Sequence, residues 1–159
     1  MIATMETDLF TTLDESKEWL QENIDGGAIC PCCFKLDKVY RRKISTGSVK
    51  ILARVYRLAA RHPDRRFFHS SEFSEINGHE WTKFKHLGLL EEAENADKTK
   101  KTSARWSISE RGKAFCRGTL RIPEELILYH DKLIGVTEVN KYINEFWPNF
   151  NYQELMGAE

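Results

Sequence analysis

Stretches of apolar residues at helical spacing alternate along the chain with short stretches that alternate as strands. In 12–25, "TLDESKEWLQENID", Leu13, Leu20 and Ile24 form a partial apolar stripe with Trp19 beside it. Thr12 and Glu15 have the spacing of a capping box, and Gly26-Gly27 follow as a stop, so a helix is expected here. Residues 35–44, "KLDKVYRRKI", carry Leu36, Val39 and Ile44 without clean periodicity and are expected to be extended. Ser48 is expected to open the next helix, with Leu52, Val55, Tyr56 and Ala59 facing a core and His62-Pro63 ending it. "SSEFSEI" predicts a short helix capped by Ser70 or Ser71, and Asn77-Gly78 a turn.

In "HEWTKFKHLGLLEEAE", Trp81, Phe84 and Leu87 recur at helical spacing, Gly88 stops the helix, and Leu89-Leu90 begin a strand. "NADKTKKTSA" has no apolar residue larger than alanine and is expected to be a loop. "RWSIS" alternates as a strand with Trp106 and Ile108 on one face, and Ser109 caps a last short helix closed by Gly118. Trp81, Phe84, Leu87, Trp106, Ile108 and Phe115 are expected to share one core. Beyond it, a strand or hairpin with a turn at His130-Asp131 is followed by a helix that Thr137 caps and that carries Val139, Tyr142, Ile143 and Phe146. Pro148 ends that helix, and one turn around "YQELM" follows.

The pattern predicts an α+β protein: a winged helix-turn-helix core over 48–118, an N-terminal helix and Cys-containing basic segment over 1–47, and a C-terminal hairpin and helix over 119–159 packed on the core. "FKHLGLLEEAE…ARWSISERGKAF" resembles the end of the recognition helix and the wing of MarR-like winged-helix proteins. Trp106, Ile108, Ser109, Gly112 and Phe115 fit the step that closes such a wing, and the resemblance covers about residues 48–118. The whole chain is also similar to a family of small uncharacterised phage and prophage proteins with a "CPCC" opening, a winged-helix middle and an "I-P" hairpin end. Cys30, Pro31, Cys32, Cys33, Lys38, Tyr40, Arg42, Lys43, Ile122 and Pro123 carry that match; Phe34 stands where a glycine often follows the cysteines. The first resemblance implies a DNA-binding scaffold, and the second implies no particular activity.

Charge sharpens this picture. With 41% hydrophobic and 30% charged residues the chain has the profile of a globular protein, and its formal net charge is zero. The charge is unevenly spread: residues 1–29 and 122–159 are acidic, and residues 35–66 hold eleven bases against two acids. Lys50, Arg54, Arg57 and Arg61 share one face of the second helix and suit phosphates, and the wing cations Lys98, Lys100, Lys101 and Arg105 suit backbone or minor-groove contact. On the recognition helix, His79, Thr82, Lys83 and His86 are the side chains available to base edges, a set poor in Arg, Asn and Gln. For each of these cations the alternative is a solvated surface.

Duplex DNA is thus the expected partner, and the rival is a host protein, docked by a phage-encoded inhibitor or adaptor built on the same scaffold; a homodimer is a third arrangement. No phosphate-binding Gly loop, HExxH or nucleophile elbow occurs, so a non-enzymatic role is expected. Glu6 and Asp8 near the start exclude an apolar leader core, and no apolar run approaches a membrane span, so a cytoplasmic protein without membrane contact is expected.

Cys30 and Cys33 form a CxxC, half of a structural zinc site. Cys116 is the candidate third ligand, with His62, His69, His79, His86, His130 or Cys32 for the fourth. The alternative is buried thiols lining the contact between the first helix and the winged domain.

Overall fold

The structure, a computed structural model, describes residues 1–74 and 80–157. In chain order it runs α1 (Leu13–Asn23), β1 (Ala28–Ile29), β2 (Leu36–Asp37), β3 (Tyr40–Lys43), α2 (Thr46–Arg61) and β4 (Phe68–His69). A 3-10 turn (Ser70–Glu72), α3 (Thr82–His86), β5 (Leu90–Glu92), β6 (Arg105–Ile108), α4 (Glu110–Cys116), β7 (Ile122–Pro123) and β8 (Glu125–Tyr129) come next. The chain ends with β9 (Lys132–Val136), β10 (Asn140–Lys141), α5 (Ile143–Phe146) and α6 (Tyr152–Gly157). This is a mixed α and β protein with small antiparallel sheets. The expected Asn77-Gly78 turn and the end of "SSEFSEI" lie outside the described residues.

Two units form. One combines Met1–Arg42 with Leu126–Val136; the other combines Lys43–Glu125 with Thr137–Glu159. The expected division at 47 and 118 therefore changes: the hairpin belongs with the N-terminal segment, because β8 sits between β3 and β9 in one sheet.

In the first unit, the Thr12 hydroxyl accepts from Glu15 N at 3.2 Å and the Glu15 carboxylate accepts from Thr12 N at 2.7 Å, so the expected capping box is formed. The apolar stripe of α1 is not core: Leu13 is exposed, Trp19, Leu20 and Ile24 are half-buried, and Ser16 is the buried residue of the helix. The CPCC turn joins β1 to β2, which pair antiparallel with Ala28 opposite Asp37. His130 and Asp131, at φ +48° and +59°, connect β8 to β9. Two successive left-handed residues match the twist of a hairpin, and aspartate is among the side chains that tolerate them best.

In the second unit, α2 starts at Thr46, two residues before Ser48. Ser45 is its cap, accepting from Ser48 N at 3.1 Å, and Ser48 is instead buried with its hydroxyl on the Glu80 carboxylate at 3.0 Å. The helix buries Leu52, Val55 and Tyr56 as expected and Val49 besides, while Ala59 is half-buried. Strands run in the order β4-β6-β5, with Phe68 opposite Trp106 and Leu90 opposite Ile108. His69, not Ser70 or Ser71, caps the 3-10 turn. Trp81, Phe84, Trp106, Ile108 and Phe115 are all buried as expected; Leu87 is half-buried, and Leu89 fills the core in its place. Thr137 caps no helix. It accepts from Glu125 N at 3.1 Å beside the β7–β10 pairing, and α5 begins only at Ile143 with Tyr142 as cap.

Gly112 lies where α4 crosses the start of β5. A Cβ there would stand 2.3 Å from the Leu89 carbonyl oxygen and 2.7 Å from Ile108 Cγ1. Backbone cannot yield as a side-chain tip can, so Gly112→Ala is expected to lower stability by about 1–3 kcal/mol, read as a lower denaturation midpoint at unchanged slope.

Candidate nucleic-acid interface

The chain between β5 and β6 is held at its root and open at its tip. Glu92 organises the root: its carboxylate accepts from Ser103 N at 3.2 Å, from the Thr102 hydroxyl, and from Lys85 Nζ at 2.7 Å. Burial pushes the Glu92 carboxyl up, but the Lys85 ammonium and the Thr102 hydroxyl outweigh it and hold the group below its ordinary value. A depressed folded value means that the stabilisation is complete above the ordinary 4.5 and is lost as pH falls through the folded value. Acidification is therefore expected to release the root; an amide shift of Ser103 that titrates below pH 4.5, and is absent in Glu92→Gln, would verify this.

Within the loop, Asp97 accepts from Thr99 N at 3.0 Å and from its hydroxyl at 2.6 Å, and Asn95 Nδ2 donates to Lys100 O at 2.5 Å. The side chains of Lys98, Lys100, Lys101 and, at the start of β6, Arg105 point to solvent. Lys100 pairs loosely with Asp97, at 4.0 Å.

The α3 residues separate. Lys83 is withdrawn: its Nζ lies 2.6 Å from the Glu80 carboxylate and donates to Lys43 O at 2.9 Å, and its side chain is 14% exposed. It was expected at a base-reading face, but a carboxylate one turn away and an open carbonyl hold it instead. Thr82 and His86 line a cleft of about 430 Å³ whose far wall is Thr102, Ala104 and Trp106 of the loop root and β6. His79 lies outside the described residues.

The cationic face of α2 also divides. Lys50, Arg54 and Arg57 border a second groove, facing Trp147, which shares no residue with the first, whereas Arg61 is exposed at the helix end. Arg54 Nη1 donates to Phe73 O at 3.4 Å.

The CPCC turn closes tightly. Phe34 N donates to Cys30 O at 2.8 Å, Cys30 N donates to Lys35 O at 2.9 Å, and Phe34 takes the φ of +60° that a glycine would ordinarily supply. The backbone N–H groups of Cys33 and Cys32 hold the Cys30 thiol below its ordinary value. The buried-thiol alternative does not hold, since Cys30 is half-buried and Cys32 and Cys33 are exposed at the hairpin tip. Cys116 is fully buried in α4, where burial pushes its thiol up to about 12. Among the described residues no group of three or more His, Cys, Asp or Glu could hold a metal ion.

One polar cluster went unread in the sequence. Asp37, nearly buried, lies 2.9 Å from His130 Nε2 and accepts from the Tyr129 hydroxyl at 3.5 Å. Asp37 stands 92 residues from Tyr129, and nothing local links the two.

No described helix is long and apolar enough to cross a membrane. No family model matches the chain, and no characterised protein or solved structure matches it significantly.

Proposed function

We propose that the second unit is a winged helix and that the protein is non-enzymatic and binds duplex DNA, with the β5–β6 loop as its main contact and little sequence preference. The observation that carries this reading is the solvent-facing set of Lys98, Lys100, Lys101 and Arg105 around a loop whose root is fixed. The succession α2, β4, 3-10 turn, α3, β5, loop, β6 and the order β4-β6-β5 support the scaffold. The weak sequence preference follows from α3, where Lys83 and Lys85 are engaged by Glu80 and Glu92. Fluorescence anisotropy of labelled random duplex over a salt series tests it. A linear fall of log affinity with log salt is expected, and binding that does not respond to salt would refute the proposal.

A second reading, docking on a host protein, is favoured by one feature. The edge strand β9 exposes Leu133, Ile134 and Val136, an apolar edge open to strand addition. Capture of a host protein that survives nuclease treatment would support it over the DNA reading.

A further inference from the structure

The groove beside α2 differs in kind from the loop surface. It holds about 350 Å³ and lies entirely in the second unit. One wall is the helix face with Lys50, Arg54 and Arg57; the other is Trp147 and Asn149 with Glu154 of α6. That second wall is anchored at both ends. Thr46 Oγ1 donates to Phe146 O at 2.6 Å, and the Tyr56 and Tyr152 hydroxyls share a hydrogen bond of 2.7 Å.

Three cations face one carboxylate, so the groove favours an anion. Arg57 Nε is buried and has no hydrogen-bond partner among the described residues. A buried N–H of a charged group left unpaired is costly, and a small shift of the Arg57 side chain onto a ligand oxygen would relieve it. Beside these charges the half-buried Trp147 offers a planar apolar face, with Lys50 Nζ 5.4 Å from its centroid. The volume suits a small molecule and is far too small for a duplex.

We infer that this groove binds a nucleoside monophosphate, with the phosphate on Arg54 and Arg57 and the base against Trp147. The guanidinium fork matches phosphate oxygens as no other side chain does. Lys50 adds charge one turn away. Glu154 would repel a second phosphate but can accept from ribose hydroxyls, which selects the monophosphate. The Asn149 amide supplies a donor and an acceptor for the edge of the base. The inference does not depend on DNA binding.

Titration calorimetry of the full chain with AMP, UMP, adenosine and inorganic phosphate tests it. A nucleoside monophosphate is expected to bind at least about tenfold more tightly than adenosine or inorganic phosphate alone, because both halves of the site are used. Arg57→Lys keeps the charge but removes the fork, and is expected to weaken AMP about tenfold. If that variant does not fold, Asn149→Ala on the exposed rim gives the same reading: weaker AMP at unchanged phosphate affinity. The K98A/K100A/K101A variant should keep its AMP affinity, which separates this site from the DNA surface. No saturable binding of either nucleotide up to millimolar concentration would overturn the inference. So would nucleotide binding no tighter than inorganic phosphate, which would leave only an unspecific cationic patch.

Discussion

Replacing Phe84 by alanine is expected to lower the unfolding free energy by about 3–5 kcal/mol. Phe84 has no solvent exposure and is the buried residue of α3, which packs on β5. A five-residue helix cannot persist by its own propensity, so docking is what maintains it. Removing the ring leaves a cavity under the helix and weakens the grip that orders Thr82 and His86 at the first groove. The cost should therefore appear twice: as a lower denaturation midpoint, and as faster amide exchange at Leu89, whose N–H donates to Phe84 O at 2.9 Å. Lys85→Ala, which leaves the Glu92 carboxylate without its ammonium but opens no cavity, is the comparison, and a smaller loss of about 1 kcal/mol is expected there. Equal losses in the two variants would mean that α3 is not docked through Phe84.

Much of this core was legible because its signals are local. Phe84 at three residues from Trp81, Gly88 as a stop, Ser109 as a cap and Gly118 as a close all act within one turn of chain. Ser109 accepts from Gly112 N at 3.1 Å, and Gly88 and Gly118 take φ +71° and +80°. Errors came where a distant partner overrode a correct local rule. Ser45 and Ser48 both suit a helix cap, and the choice fell to Glu80, which holds Ser48 inside the helix from 32 residues away. Thr137 precedes a helical pattern, but β10 pairs with β7 and straightens the chain that would have been its first turn.

The site was legible in composition and not in partition. Helical spacing brings Lys50, Arg54 and Arg57 to one face, and nothing in that spacing reveals that Trp147, nearly a hundred residues on, covers the same face. Lys83 carries the same charge as Lys98 in the sequence, yet Glu80 and the Lys43 carbonyl consume it. Charge counts record how many cations a chain has. Only the fold decides which of them remain available to a partner.

That distinction yields the sharpest expected difference between variants. Lys98→Ala, Lys100→Ala and Lys101→Ala together should reduce the salt slope of duplex binding by about 2 to 3, since each lysine that neutralises a phosphate contributes about 0.9. The corresponding loss of affinity at low salt should be on the order of a hundredfold. The tip that holds them is shaped by the local hydrogen bonds of Asp97, Thr99 and Asn95, and the three lysines are exposed, so the melting temperature should not change. Arg54→Ala with Arg57→Ala removes nearly as much charge from the same unit, but from the groove beside Trp147. That pair should leave the slope within about 0.5 of the wild type, the residue of general field effects. If instead the arginine pair flattens the slope and the lysine set does not, duplex DNA lies along α2, and the loop is a solvated turn with no part in binding.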